Sequence, residues 1–470
     1  MRRVLKGGVI GVSAIVLAAG DGKRLKSRLP KVLHRAAGRP LLAHVLAALA
    51  PLPLERRVVV VSQRRDLLEE GLARAGFSDG LDFVVQSPPR GTADAVRMGL
   101  EAGITEGTVL VAPGDSPLLR AETLRGLLDA HAEAGAGATV LTAELADPSG
   151  YGRVIREAGG TIRIVEERDA TPDQLAVKEV NGCVYAFDAA VLRQAIGTID
   201  DDNAQGEYYL GDVLTPIAER SRPVVAFPVD ASEVAGVNSR AQLAEAAAAL
   251  RRRAALHWMS EGVTIVDPAT TYIDAGVEID RDATIHPFTF LEGETVVGAG
   301  AEVGPQTRVV DSRVEEGATV TFSVVRGSVV GPGASVGPFA SLRPGTRLER
   351  GARAGTFVET KNSTIGEGSK ASHLAYLGDA EIGRGVNVGA GTITCNWDGR
   401  AKHRTVIDDE AYIGSDTMIV APARIGKRAA TGAGSVVRGE VPDGALAVGV
   451  PARIIEGKGN KMEPRDPEDP

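Results

Sequence analysis

The stretch EIDRDATIHPFTFLEGETVVGAGAEVG, Glu278 to Gly304, decides the architecture of the second half of the chain. Within it Ile279, Ile285, Leu291, Val297 and Val303 recur every 6 residues. A surface helix repeats its apolar residues at about 3.6 and a half-buried strand at about 2, so neither accounts for this beat. A hexapeptide period is the mark of a left-handed parallel β-helix, whose triangular coils each take three hexads and turn the aliphatic residue inward. The beat reaches Val309 and resumes at Val330, Val336, Leu342 and Leu348. It returns at Ile382 and Val388, and again at Ile413, Ile419 and Ile425. A core of this kind needs small and β-branched side chains, which suits a chain of 470 residues with 57 glycines and only 4% aromatics.

Upstream the pattern changes. From about residue 10 to residue 230, apolar runs alternate with Ala/Leu/Arg-rich stretches of helical length: AIVLAAG, RRVVVVSQ, LDFVVQS, GTVLVAPGD, ATVLTAEL, CVYAF and PVVAFPV. That alternation predicts an α/β, Rossmann-like domain with a mostly parallel sheet, whose ligands bind beyond the carboxyl ends of the strands. Ser239 to Val263 reads as one long connecting helix, and its Arg251–Arg253 run as a solvated face. The expected organisation is a first domain over 10–238, a linker helix over 239–262, a β-helix over 263–455 and a disordered polar tail over 456–470.

The first apolar run poses a choice. After the basic start MRRVLKGG, the segment VIGVSAIVLAAG could be a secretory leader or the first strand of the sheet. It opens onto Gly20 and Gly22 and the cations Lys23, Arg24, Lys26, Arg28 and Lys31. A short buried strand over Ala14–Leu17 followed by a Gly-rich turn exposes backbone N–H groups that can cradle phosphate, and that reading is preferred. The net charge is -8 without any basic block, which argues against general nucleic-acid binding. No run of about 18 apolar residues suggests a membrane span. Cys183 and Cys395 lie far apart with no CxxC spacing, so neither a disulfide framework nor a thiolate zinc site is expected.

Over nearly its whole length the chain resembles the bifunctional N-acetylglucosamine-1-phosphate uridyltransferase/glucosamine-1-phosphate acetyltransferase family. The first half carries LAAGDGKRL, LPKVLH, GTADA, GYGRV, IVEERDA, NAQGEYYLGDV and GVNSR. The second carries LRPG, FVETKNSTIGEGSKASHLAYLGDAEIG, NVGAGTITCNWDG and IGSDT.

For the first half the resemblance implies attack of a sugar-1-phosphate oxygen on the α-phosphorus of UTP. Leu17, Ala18, Ala19 and Gly20 would hold the nucleotide, with Arg24 and Lys31 on its phosphates. Gln86, Gly91 and Thr92 match the uracil-recognition positions, and Gly114 and Asp115 follow the fourth strand-like run. Asp115 and Asn238 match the Mg²⁺ ligands, and Gly152, Glu166 and Asn181 the positions that hold the sugar. Read from the residues alone, Asp115 and Asn238 could be ordinary helix caps. Lys23 stands where the family usually has a small hydroxyl residue, and Pro113 where an aromatic is common.

For the second half it implies acetyl transfer from acetyl-CoA to the amine of glucosamine-1-phosphate. His373 matches the proton acceptor, in a segment read as a loop interrupting the hexads, since a histidine titrates near neutral pH. Arg343, Lys361, Tyr376 and Asn387 match contacts to glucosamine-1-phosphate, although Arg343 and Lys361 could equally be solvated charges. Acetyl-CoA would touch Ala390, Asn396, Trp397, Ser415 and Ala433 along the coils. Trp397 replaces the usual Tyr, keeping a stacking surface without a hydroxyl. Gly449 and Val450 precede Pro451 where a basic residue is often found; Arg453 is the nearest alternative cation. Cys395 reads as a packed thiol.

The expected protein is a cytoplasmic homotrimer making UDP-N-acetylglucosamine for cell-envelope polymers, acting on small molecules only. Two rival readings are a sugar nucleotidyltransferase of other specificity with an assembly solenoid, and a non-enzymatic scaffold with a nucleotide-sensing domain.

Overall fold

A computed structural model of the chain describes residues 11–20, 22–157 and 161–458. They form two compact units that meet in sequence between Leu250 and Arg251.

The first unit is built on a 9-stranded sheet. Its strands are β1 (Val12–Ala18), β2 (Leu54–Val61), β3 (Asp82–Val85), β4 (Thr108–Pro113), β5 (Ala138–Glu144), β6 (Arg153–Arg156), β7 (Ile162–Val165), β8 (Glu179–Asp188) and β9 (Val224–Pro228). They lie in the order β9-β5-β8-β4-β1-β2-β3, with β6 paired to β8 and to β7. β1 runs parallel to β2 and β4, β2 to β3, and β5 to β9, while β8 is antiparallel to both β4 and β5. All seven apolar runs are strands. The β6–β7 hairpin is an addition to the expected sheet: its strands are short, and Arg153, Arg156 and Arg163 break up their apolar pattern.

Why β1 reads as a continuous apolar run is plain from its two faces. Ala14, Val16 and Ala18 pack with Val59, Val61, Leu110 and Ala112 on one side of the sheet. Ile15 packs with Val58, Val60, Val109 and Val111 on the other. A strand covered on both faces has no solvent side to be polar on. The strand is longer than the sequence suggests, and the carboxyl ends of β1 and β4 lie side by side: Gly114 N–H donates to the Leu17 carbonyl at 2.8 Å. Residues before Gly11, including the basic start, lie outside the described residues.

The second unit is the β-helix. Each hexad aliphatic named above, from Ile279 to Ile425, is at most 4% exposed and belongs to one continuous core. Coils stack in register, as in the column Ile265–Ile285–Val303–Val320–Val336–Ala354–Ala371–Val388–Ile413. Between Val309 and Val330 the chain does not leave the solenoid. Val314, Val320 and Val325 fill the same core. Three of those four intervals are five residues long, which hides the coil from a six-residue count.

One helix spans Arg240–Ser260. Up to Leu250 it packs in the first unit, with Ala246 and Ala247 buried among Ala36, Leu41 and Val237. From Arg251 it packs in the second, with Ala255 in the solenoid core. The Arg251–Arg253 run is not the solvated face expected of it. Only Arg252 is exposed, and the Arg251 guanidinium stacks over the Tyr272 ring at 4.8 Å. Among the described residues no helix is long and apolar enough to cross a membrane. Of the tail expected to be disordered, Glu456–Lys458 is described and the rest lies outside the described residues.

Candidate active sites

The first site forms where β1 and β4 end. Leu17 and Ala18 end β1, Ala19 and Gly20 follow them, and Arg24 is exposed on a short 3-10 turn, Lys23–Leu25. Gly22 adopts φ +62, and a Cβ there would come within 2.6 Å of the Lys31 Cβ, so a bare backbone lets Lys31 lie close. The Lys31 ammonium contacts the Asp115 carboxylate and lies 3.1 Å from Asn238 Oδ1. Neither oxygen donor is spent on a helix cap. Ser239 Oγ accepts from Gln242 N–H at 3.2 Å, and the Gln242 side chain accepts from Asn238 N–H at 2.9 Å. The capping alternative for Asn238 is therefore overturned, and its side chain is free to face Asp115.

Two hard oxygens converging on one cation form the donor set that a divalent ion such as Mg²⁺ takes, the remainder coming from phosphate and water. Among the described residues no cluster of three or more His, Cys, Asp or Glu side chains could hold a metal by itself.

The other expected contacts fall into two groups. Gln86 is buried, and its amide donates to the Gly91 carbonyl at 3.1 Å and to Asp94 at 2.9 Å. Gly91 has φ +109, and a Cβ on it would strike the Tyr208 backbone at 2.5 Å. Thr92 opens helix Thr92–Glu101 and accepts from Leu210 N–H at 2.9 Å. These contacts dock GTADA onto GEYYL. Deeper, Asn181 N–H donates to the Gly152 carbonyl at 2.9 Å, and Glu166 lies over Gly152, where a Cβ would be 3.0 Å from Oε1. Burial, with Asp212 and Asp169 nearby, pushes the Glu166 carboxyl above its usual range. One neighbour was not foreseen: Cys183, two residues past Asn181, at φ +57. It is accessible, yet crowded enough by protein that burial, aided by Glu166 and Asp115, pushes its thiol up to about 12. Pro113 ends β4 opposite Leu17. The Lys23 side chain lies outside the described residues.

The second site lies on the solenoid. His373 is not in a loop: it ends strand Lys370–His373, paired with Thr356 of the coil before, and its exposed ring sits at a corner. The registers Lys370–Asn387, Asn387–Tyr412 and Tyr412–Ala430 carry His373 onto Ala390, Ser415 and Ala433 in the next three coils. The corner is thus a straight column of small residues below a histidine. On the face that follows, Arg343, Lys361 and Tyr376 lie on consecutive coils. Arg343 is ion-paired with Glu359 at 2.8 Å. Asn387 is on the preceding face, three positions before the corner, so one chain does not bring it together with those three.

Beyond that face lies the excursion Asn396–Arg404. Asn396 is buried and donates to Asp379 at 2.6 Å; Trp397 is exposed and bridges to Lys402. Lys402, which the hexad pattern gave no reason to single out, crowds Lys361 and pushes that ammonium below its usual range, with Arg343 adding to the effect. His403 Nε2 lies 2.6 Å from Asp398, closing the excursion. Arg453 is exposed and pairs with Val448.

Residues 14–177 match the family model of the MobA-like NTP transferase domain. With the hexapeptide solenoid on the same chain, this defines a two-domain transferase of the nucleotidyltransferase class. Bifunctional protein GlmU of Thermobifida fusca is 50% identical over 463 residues, covering 97% of this chain and 95% of that one. The Rubrobacter xylanophilus protein of the same name is 51% identical over 443 residues, covering 94% and 93%. That of Mycolicibacterium vanbaalenii is 48% identical over 459 residues, covering 96% and 93%. The chain belongs to the bifunctional GlmU family. It is an enzyme of UDP-N-acetylglucosamine synthesis, with acetyltransferase and uridylyltransferase activities.

Proposed function

We propose that the two activities reside in the two units: uridylyl transfer in residues 10–238 and acetyl transfer in residues 263–455. The observation that carries the first assignment is the meeting of Lys31, Asp115 and Asn238 at the ends of β1 and β4. Leu17 to Gly20 cradle the nucleotide, Gln86, Gly91 and Thr92 read its base, and Gly152, Glu166 and Asn181 hold the sugar. Gly114 keeps the backbone low beside the phosphates. Arg24 and Lys31 follow the negative charge as it moves to the departing pyrophosphate. Asp115 and Asn238 hold Mg²⁺, which when bound neutralises phosphate charge. In the second unit His373 takes the proton that the glucosamine-1-phosphate amine sheds as its nitrogen bonds to the acetyl carbon and the thioester C–S bond breaks. Arg343, Lys361 and Tyr376 bind that substrate. Ala390, Asn396, Trp397, Ser415 and Ala433 bind acetyl-CoA.

A homotrimer accounts for two features at once. Asn387 lies on a different face from the other sugar contacts, so a neighbouring chain would complete the pocket. Four of the solenoid's corners carry Phe288, Phe322, Phe339 and Phe357, all with positive φ between 46 and 60. Phe322 and Phe339 lie 5.7 Å apart, Phe339 and Phe357 5.6 Å, and Phe339 and Phe357 are more than half exposed. A ridge of outward aromatics is the surface a second copy would cover. Acetyl-CoA and UTP as co-substrates suit a cytoplasmic site of action.

The test supplies glucosamine-1-phosphate, acetyl-CoA, UTP and Mg²⁺, omitting each in turn. Free CoA thiol should form without UTP, and pyrophosphate only when all four are present. Appearance of neither product overturns the proposal.

A further inference from the structure

A carboxylate outside every role assigned above lies at the edge of the acetyl-transfer face. Asp379 is 9% exposed and stacks between two amides of neighbouring coils. Asn362 Nδ2 donates to its Oδ1 at 2.7 Å from the coil before, and Asn396 Nδ2 donates to its Oδ2 at 2.6 Å from the coil after. An ionised carboxylate only accepts, so it dictates the orientation of both amides: each must turn its NH₂ inward. For Asn396 this leaves Oδ1 as the atom facing outward. The neighbouring residue is Gly378, where a Cβ would come within 2.5 Å of the Tyr376 hydroxyl and 2.7 Å of Asn396 Nδ2. Tyr376 and Asn396 therefore converge across a bare Cα, in a cradle with no room for a side chain.

We propose that Asp379 is a positioning residue of acetyl transfer, fixing the Asn396 amide so that its oxygen is presented as an acceptor to bound acetyl-CoA. The inference rests on the assignment of Asn396 to the acetyl-CoA site. Pantetheine carries amide N–H donors, which match an outward oxygen and not an outward NH₂. The carboxylate is kept ionised by its surroundings. Burial alone would raise its pKa, but the Asn362 and Asn396 amides, with Lys402 and Lys361 beyond, hold it below the usual range.

Asp379 has φ +49, a conformation that Asn and Gly also tolerate, so Asp379→Asn and Asp379→Gly leave the backbone unstrained. Asn at 379 offers one acceptor and one donor, and one neighbouring amide must flip. Asn362 has φ +47, and Asn362→Gly removes the other rung without touching Asn396. Asp379→Gly leaves Asn396 without the acceptor that orients it, and steady-state kinetics of the full-length protein should show KM for acetyl-CoA raised about tenfold, with KM for glucosamine-1-phosphate not raised. Arg343, Lys361 and Tyr376, to which that substrate is assigned, make no side-chain hydrogen bond to the Asp379 carboxylate, whose partners are Asn362 and Asn396. Asn362→Gly should change both constants less than fivefold.

The proposal is overturned if KM for acetyl-CoA changes less than fivefold in Asp379→Gly, or if both KM values rise together. It is equally overturned if Asn362→Gly matches Asp379→Gly, or if Asp379→Asn abolishes the cooperative melt of the solenoid; each assigns the carboxylate to coil stability. Asn396→Ala, run alongside, tests the underlying assignment. An unchanged KM for acetyl-CoA there removes Asn396 from the site whatever Asp379 does.

Discussion

The ammonium of Lys31 occupies the space between the carboxylate of Asp115 and the amide oxygen of Asn238, two residues that reach it from opposite ends of the first unit's sequence. A cation already stands where the proposal places the divalent ion, so under that proposal metal arrival and release of Lys31 toward the phosphates would be one exchange. Removing the competitor should help the metal even as it harms the reaction. Lys31→Met is expected to tighten Mn²⁺ binding to the nucleotide-free protein about tenfold, by electron paramagnetic resonance titration, the scale of one charge-assisted contact. Uridylyl transfer should fall by about a hundredfold or more. Weaker Mn²⁺ binding in the variant would refute the exchange.

The proposed acetyl transfer relies on His373, an exposed ring at a solenoid corner. His373→Ala should lower CoA thiol release by roughly 10²- to 10⁴-fold, the range for loss of a general base. Pyrophosphate release from UTP and supplied N-acetylglucosamine-1-phosphate should stay within twofold. A parallel loss of both would mean that the two sites are not independent.

The aromatic ridge makes a prediction about assembly. Phe357→Asp places a charge in the column of stacked rings, 5.6 Å from Phe339 in the native chain. Sedimentation should show the mass falling from three chains to one, with acetyl transfer lost and uridylyl transfer retained. A variant that remains trimeric would place the subunit contact elsewhere.

Stability of the first unit should depend on pH through His131. Burial lowers its pKa from 6.5 to about 4, and its Nδ1 lies 3.0 Å from Thr139 Oγ1. The unfolded chain binds the proton more readily, so this group's contribution is complete above pH 6.5 and is lost as pH falls toward 4. His131→Leu is expected to flatten that part of the melting-temperature profile. At pH 7 it should cost about 1 kcal/mol, because the Thr139 hydroxyl loses its partner. An unaltered profile would mean that other groups carry the acid sensitivity.

How much of this was legible in the sequence varied with the range of the interaction. The hexad aliphatics announced the solenoid because each coil repeats a local rule. The coil through Val314, Val320 and Val325 escaped because its shorter sides keep the inward direction while breaking the count. The strands of the first unit were legible as apolar runs, whereas the β6–β7 hairpin carries arginines that blur its pattern. Lys31, Asp115 and Asn238 were singled out through family motifs, but their meeting joins residues 207 positions apart, which no local pattern encodes. Lys402 lies in an excursion without periodicity. The Asn362–Asp379–Asn396 ladder exists only because successive coils are stacked.

The column beneath His373 makes the solenoid a gauge. Ala390, Ser415 and Ala433 descend from it one coil at a time, and neighbouring strands are spaced by about 4.8 Å. With acetyl-CoA lying along this column as proposed, the reach from reacting thioester to the far end of its carrier would be set by counting turns, in whole steps. Deleting one turn would leave that carrier a full step too long for its track.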